Sequence, residues 1–521
     1  MLYDESKFDS CTAKGICSIG PRTSSLQEIL LSLLSQLSFY ALELKSFGGE
    51  NTDIEKVVFN SMSAFMTSVE YDGEQFADIL RGLSSLVEDS KRAYSNYCKT
   101  NGIEEKQIFI TDTNTDVNLS ELINQGEKEY SKRTEKISFE NKNLFDIVLY
   151  VLKSLCVNLS QLKDYEYDKA TFSKGFGKIL SLFNLLNYPE TESQKILDEI
   201  ESAVFVENEV IQAILRAKID LFGDPHCKEV SLSTRPNKAI LVSGSNFAEL
   251  ERVLEYTKDK SVDVYTHGEM IFAHSYSKFH HYPHLVGHFK SGSDNYLSDF
   301  ANFPGAIFIQ KYTTENIEYL YRGRLFTTDF YRPKGVVKIE DNDFAPLVES
   351  ALQAKGFKHG KSKSTIYVGM SFSDIDAKLE KFFANADKYR SVILMAPEYS
   401  VPKNKKYFET MINNIPSDAF VISYSYKRDC ENLAKLNAVS EFSSVYYVME
   451  KLKNLGKNIS VFLLNYNIHT VSNIINFNKV YGAKLFLVKD SPIRINPTLI
   501  PILKDNFGLK EISNPLDDIK Y

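Results

Sequence analysis

Residues 238–267 read KAILVSGSNFAELERVLEYTKDKSVDVYTH, and this stretch decides the fold. A β-branched apolar run from Lys238 to Ser243 gives way to a helical period from Asn246 to Lys258, then to a second run from Val262 to His267. That alternation predicts a parallel α/β sheet. Two further runs, Gly305 to Gln310 and Arg324 to Phe330, extend this first sheet, which ends at the polar stretch from Lys355 to Ser364. From Thr365 the alternation restarts, with strand candidates Ile366–Val368, Ser391–Ala396, Phe420–Ser425, Ile459–Asn465 and Lys484–Val488. The expectation is two doubly wound units whose working surface lies outside the carboxyl ends of the strands.

Upstream of Pro236 the apolar residues recur instead at steps of three and four. Ser25 to Phe47, Asp53 to Glu70, Gly73 to Cys98 and Phe145 to Leu162 all read as amphipathic helices, and Ser25 with Glu28 has the spacing of a capping box. A helical bundle is therefore expected first. The chain of 521 residues exceeds the size of one core. It divides as a helical domain over residues 1–230, a first α/β domain over 231–355 and a second over 356–521.

Apolar residues make up 43% and charged residues 25%, the balance of a folded globular chain. The net charge of −7, with Lys and Arg scattered, offers no broad attraction to nucleic acid. No uninterrupted apolar run is long enough to span a membrane, and the start, Met1-Leu-Tyr-Asp-Glu-Ser, lacks the basic and apolar parts of a signal peptide. A cytoplasmic protein with neither nucleic acid nor membrane as partner is expected. Six cysteines are too few for a secreted disulfide scaffold; only Cys11 and Cys17 are close in sequence, and Cys98, Cys156, Cys227 and Cys430 stand alone.

No strand runs into a glycine-rich phosphate loop. The nearest match, Gly175-Phe-Gly177-Lys178, follows a helical region, so nucleotide binding is disfavoured. Seven of the nine histidines lie between His226 and His288, yet Pro283 and Gly287 break the helical spacing that a metal face on HHYPHLVGH would need. Glu269, at a strand end beside His267, has the chemistry of a general base or a divalent-ion ligand.

Several of these segments resemble those of hybrid cluster proteins (prismane, hydroxylamine reductase) and the wider carbon monoxide dehydrogenase superfamily. They are VSGSNFAEL from Val242, VDVYTHGEM from Val262, YPHLVGHF from Tyr282, then FPGAIFIQ and RLFTTDF; the N-terminal CTAKGIC is similar to the family's CTVKGVC. The resemblance implies an N-terminal helical bundle and two Rossmann-like domains, with strand ends that supply His, Glu and Cys to an iron-sulfur-oxygen cluster. Residue by residue, the family's cluster histidine falls on Ser245 and its first glutamate on Glu269, which is retained. Cysteine positions fall on Thr313, Ser371, Glu398 and either Lys427 or, with a small gap, Cys430. The second glutamate falls on Asn467 and a lysine on His469.

Iron-sulfur clusters are held by thiolates, and hydroxyl, amide and lysine side chains do not replace them. The expectation is therefore a divergent member without an intact hybrid cluster, serving as a non-catalytic subunit or interaction scaffold. Two alternatives stay open. In one, an iron-sulfur oxidoreductase carries a [4Fe-4S] cluster shared between two chains through Cys11 and Cys17, and passes electrons to a rebuilt site of Glu269, His267 and His469, with Cys430 as a second metal ligand. In the other, the emptied polar cavity binds a small molecule or a different metal. A homodimer or a hetero-oligomer with another protein chain is implied in each.

Overall fold

A computed structural model describes residues 21–49, 52–67, 72–108, 113–289, 296–312, 322–360, 364–395, 405–424, 432–438, 442–463, 467–488 and 499–520. Helices come first: α1 (Pro21–Ser46), α2 (Thr52–Met66), α3 (Gly73–Asn101), α4 (Leu119–Glu135), α5 (Phe139–Asp164), α6 (Lys169–Leu185) and α7 (Ser193–Phe222). α1 runs through the middle of the bundle against α2, α3, α4 and α6, which is why its buried residues include polar ones such as Ser25, Gln27 and Glu28. The capping box expected at Ser25 and Glu28 does not exist. The helix already begins at Pro21, a residue whose fixed φ suits a first helical turn, so Ser25 and Glu28 are interior residues of α1.

The first α/β region contains β1 (Lys228–Ser231), β2 (Lys238–Ser243), α8 (Phe247–Thr257), β3 (Val262–His267), a 3-10 segment Gly268–Ser275, β4 (Leu285–His288), α9 (Tyr296–Asn302), β5 (Ala306–Ile309), β6 (Leu325–Thr327), β7 (Val337–Lys338) and α10 (Ala345–Gln353). The second contains β8 (Thr365–Val368), α11 (Phe372–Ala384), β9 (Ser391–Met395), α12 (Lys405–Asn413), β10 (Ala419–Ser423), β11 (Leu433–Lys435), α13 (Ser443–Leu452), β12 (Asn458–Leu463), α14 (Thr470–Tyr481), β13 (Lys484–Leu487), α15 (Leu499–Phe507), β14 (Leu509–Glu511) and α16 (Pro515–Asp518).

Each region carries a parallel six-stranded sheet, in the orders β4-β3-β2-β5-β6-β7 and β11-β10-β9-β12-β13-β14. Counted within each sheet, both orders are the doubly wound arrangement in which the chain reverses direction between the first and fourth strands. The central strands β2, β3, β5, β9, β10 and β12 are buried almost throughout, as a parallel sheet covered on both faces requires.

One strand expected to open the second sheet does not belong to it. β8 pairs antiparallel with β1 in a separate two-stranded ribbon, where Ile366 and Tyr367 are exposed. The apolar run from Ile366 gave the correct element but the wrong sheet, because a two-stranded ribbon leaves one face to solvent.

A single apolar core links α1 to α7 with residues of both sheets. α5 is the one described helix long and apolar enough to cross a membrane by length and composition, and 67% of that apolar stretch is buried. It packs against α6, α7 and α14, so it serves as a central beam of the fold.

Candidate functional site

The loop after β2 lies at the chain reversal of the first sheet, where α/β proteins bind ligands. Gly244 makes its turn at φ 145, and a Cβ added there would stand 2.1 Å from Gln310 Oε1; no other residue fits. The Gln310 amide closes on the same loop, accepting from Asn246 N at 2.7 Å and donating to Asn246 O at 2.6 Å. α5 holds it from the other side: Gln161 Nε2 donates to Ser245 O at 3.2 Å, and Asn246 Nδ2 to Asp164 Oδ2 at 2.6 Å. The backbone around Ser245 is thus held from two sides, by Gln310 after β5 and by α5.

His267, at the end of β3, is wholly buried. Its Nδ1 meets Ser243 Oγ at 3.0 Å and its Nε2 meets Asp299 Oδ2 at 3.3 Å, so both ring nitrogens are engaged within the fold. Around neighbouring Thr266, the hydroxyl touches His274 Nε2 and His288 Nδ1, each at 2.9 Å. Burial pushes His274 down to about 3 and His288 well below the ordinary imidazole value, so both are neutral. These histidines form a hydrogen-bonded core network. Among the described residues no group of three or more His, Cys, Asp or Glu side chains is placed to hold a metal ion.

Glu269 is half-buried at the start of the 3-10 segment. Its charge acts on the Lys218 amine of α7. Lys218 is only 4% exposed, its Nζ lies 4.8 Å from the centre of the Phe247 ring, and it donates to Ser443 Oγ at 3.4 Å. Burial outweighs the attraction of Glu269 and brings the amine down to about 8. A lysine from the helical bundle therefore meets the first residue of α13 from the second region, within reach of the charge of a carboxylate from the first.

The second region places its sequence-predicted residues in structural duties. Ser371 caps α11, its Oγ accepting from Asp374 N at 3.0 Å. Asn467 Oδ1 accepts from His469 N at 2.9 Å, and Thr470 Oγ1 accepts from Asn467 N at 2.8 Å, which builds the turn into α14. The His469 ring turns toward the bundle, with Nδ1 2.7 Å from Ser154 Oγ of α5, and burial brings it down to about 4. Ser154 in turn donates to Glu207 of α7, as do Ser472 Oγ and, at 2.8 Å, Asn158 Nδ2. Glu207 is 2% exposed, and burial outweighs its three donors to raise it to about 7.

Cys11, Cys17, Thr313, Glu398, Lys427 and Cys430 lie outside the described residues. Of the other cysteines, Cys98 and Cys156 are buried in helices of the bundle and Cys227 is exposed. Lys218, Ser443 and Glu207 were not singled out from the sequence. The signal was present: Glu207 stands four residues after Ala203 and three before Val210, and Lys218 stands four after Ile214 and four before Phe222, so each is a charge on the apolar stripe of α7.

Residues 7–425 match the model of the Prismane/CO dehydrogenase family, and the chain belongs to that family. It is 25% identical to a hydroxylamine reductase of Thermodesulfovibrio yellowstonii over 99% of this chain and 98% of that one. It is 23% identical to another of Acidiphilium cryptum, over 97% of this chain and 94% of that one. Among solved structures, carbon monoxide dehydrogenase IV from Carboxydothermus hydrogenoformans aligns with a TM-score of 0.47 and 11% identity, covering 97% of this chain and 88% of that chain.

The family's metal chemistry can be tested against the donors present. At the described positions where the resemblance would place ligands these are the hydroxyls of Ser245 and Ser371, the Asn467 amide and the Glu269 carboxylate. Ser371 is committed to capping α11, and Asn467 to the turn that leads into α14. These described positions by themselves supply one carboxylate and hard neutral oxygens and no thiolate, the donor that iron-sulfur groups require.

Proposed function

We propose that this chain is a member of the Prismane/CO dehydrogenase family that works without the hybrid cluster, as a non-catalytic subunit or interaction scaffold. The observation that carries this reading is the internal satisfaction of the retained positions. Where the resemblance would have thiolates and a second glutamate converge, Ser371 caps α11 and Asn467 closes the turn before α14, and the charge of the remaining Glu269 acts on the buried Lys218 amine.

Hydroxylamine reduction with a dithionite-reduced viologen, measured on anaerobically purified protein, tests the reading. Turnover at the level of dye oxidation without protein is expected. Sustained turnover lost in Glu269→Gln would reject it.

The full-length likeness to hydroxylamine reductases favours one second reading, an iron-sulfur oxidoreductase with a [4Fe-4S] cluster shared between two chains through Cys11 and Cys17. In the same assay that reading requires activity abolished by Cys11→Ser.

A further inference from the structure

The face that α14 turns to the bundle is polar. His469, Ser472 and Asn476 stand three and four residues apart, so they line one side of the helix. Each is bonded across the junction: His469 to Ser154, Ser472 to Glu207, and Asn476 Nδ2 to Val204 O at 3.0 Å. Further along, Lys479 pairs with Glu201 at 2.6 Å, and Tyr481 donates to Asn208 Oδ1 at 2.8 Å. Ser472, Asn476 and Glu207 are buried, although a buried helix face ordinarily carries the apolar stripe. The junction of the bundle with the first region differs, because aromatic rings cross it: Phe222 packs on Phe247 and Phe279, and Phe76 on Tyr331. The rings of α13 and α14, Tyr446, Phe477 and Tyr481, pack on one another instead. Two amide atoms of α14, Asn476 Oδ1 and Asn473 Nδ2, are buried without a hydrogen-bond partner.

We propose that the second α/β region parts from the bundle along this seam, so that the chain alternates between the closed arrangement and an open one in which both polar faces are wetted. Contacts between domains that are rich in polar groups permit such relative motion, whereas large apolar ones oppose it. Opening gives water to the amide atoms of Asn473 and Asn476, whose burial without partners costs free energy. It also frees Glu207. The titratable groups that face this carboxyl are Cys156 of α5, His469 and Tyr446 of α13, and all three are neutral at pH 7, because burial raises the thiol and the phenol and lowers the imidazole. Lys174 and Lys178 of α6 pair with Glu209 and Glu199, Lys479 pairs with Glu201, and Lys218, three turns further along α7, feels Glu269. Among the described residues no cation is set against Glu207, which burial raises to about 7. At and above that pH its carboxylate therefore favours the open arrangement, while the apolar core that runs through both bodies draws them back together.

Cys156 reports the opening, since it is wholly buried in α5 and close enough to Glu207 to feel its charge. The test is labelling of the full chain with dithiodipyridine, an uncharged thiol reagent, at pH 5 and pH 7.5, with each cysteine followed by peptide mass spectrometry. The rate at Cys156 is divided by that at the exposed Cys227, and Cys98, buried in α3, reports unfolding of the whole chain. Cys156 should react faster in the wild type than in Glu207→Gln, by up to about a hundredfold at pH 7.5 and by only a few-fold at pH 5, because the glutamine never ionises. Tyr481→Phe, which leaves every charge in place and removes the bond to Asn208, should speed labelling of Cys156 by about fivefold at both pH values. Labelling of Cys98 in step with Cys156, equal Cys156 rates in wild type and Glu207→Gln at pH 7.5, or no effect of Tyr481→Phe overturns the seam.

Discussion

Replacing Glu207 with glutamine should change how stability depends on pH. The carboxyl is buried between α5, α7 and α14, and its proton affinity is raised from the ordinary 4.5 to about 7. At about 1.4 kcal/mol for each tenfold change in proton affinity, keeping the ionised form buried costs about 3 kcal/mol. The sign follows from proton counting. Between pH 4.5 and about 7 the folded chain holds a proton on Glu207 that the unfolded chain has released, so stability falls as pH rises through that window and levels off above it. Glu207→Gln, which stays neutral, should match the wild type near pH 4.5 and exceed it by up to about 3 kcal/mol at pH 8. His469 acts in the opposite sense, because burial lowers it to about 4 and stability rises as pH climbs from there to 6.5; it is present in both proteins, so their difference isolates Glu207. The chain has no tryptophan, so urea unfolding followed by far-ultraviolet circular dichroism at pH 5, 6, 7 and 8 is the assay. Parallel profiles for the two proteins, or a glutamine variant less stable at pH 8, would refute the argument.

Lys218→Met should stabilise the chain at pH 7 by up to about 3 kcal/mol, because the amine is lowered from 10.5 to about 8. Since that penalty fades as pH rises from about 8 to 10.5, the gain read from urea midpoints should shrink over that range, and a constant gain would count against it. Ser371→Ala should cost about 1 kcal/mol through the lost cap of α11, while Ser371→Asp should cost less than half as much in the same denaturation assay. Gly244→Ala should cost at least about 2 kcal/mol, since it combines a φ of 145 with a clash on Gln310; thermal unfolding indistinguishable from wild type would show that the loop can yield.

The parallel sheets were legible because their central strands are buried on both faces and read as continuous apolar runs: Lys238–Ser243 and Val262–His267 have the bounds expected from the sequence. Edge strands were not. β7 has two residues and β11 three, too short for any period to emerge, and β8 was assigned to the second sheet although only its pairing with β1 separates the two possibilities. At Ser25 a capping pattern coincided with the interior of a buried helix, where local spacing carries no information about where the helix starts. The site was legible in part. Glu269 and the positions of Ser245, Ser371 and Asn467 could be placed by resemblance, but their present duties, capping and loop closure, depend on contacts with α5, α11 and α14. Lys218 and Glu207 face partners more than two hundred residues away in sequence, Ser443 and Ser472, so their burial follows from how the bundle meets the second sheet.

The central claim is tested most directly by the metal content of the untagged protein purified without oxygen, measured as iron and acid-labile sulfide per chain together with the visible absorption spectrum. The account predicts that no iron-sulfur absorption depends on Glu269, with spectrum and iron content unchanged in Glu269→Gln. Iron at several atoms per chain, with a broad visible absorption that Glu269→Gln removes, would contradict it.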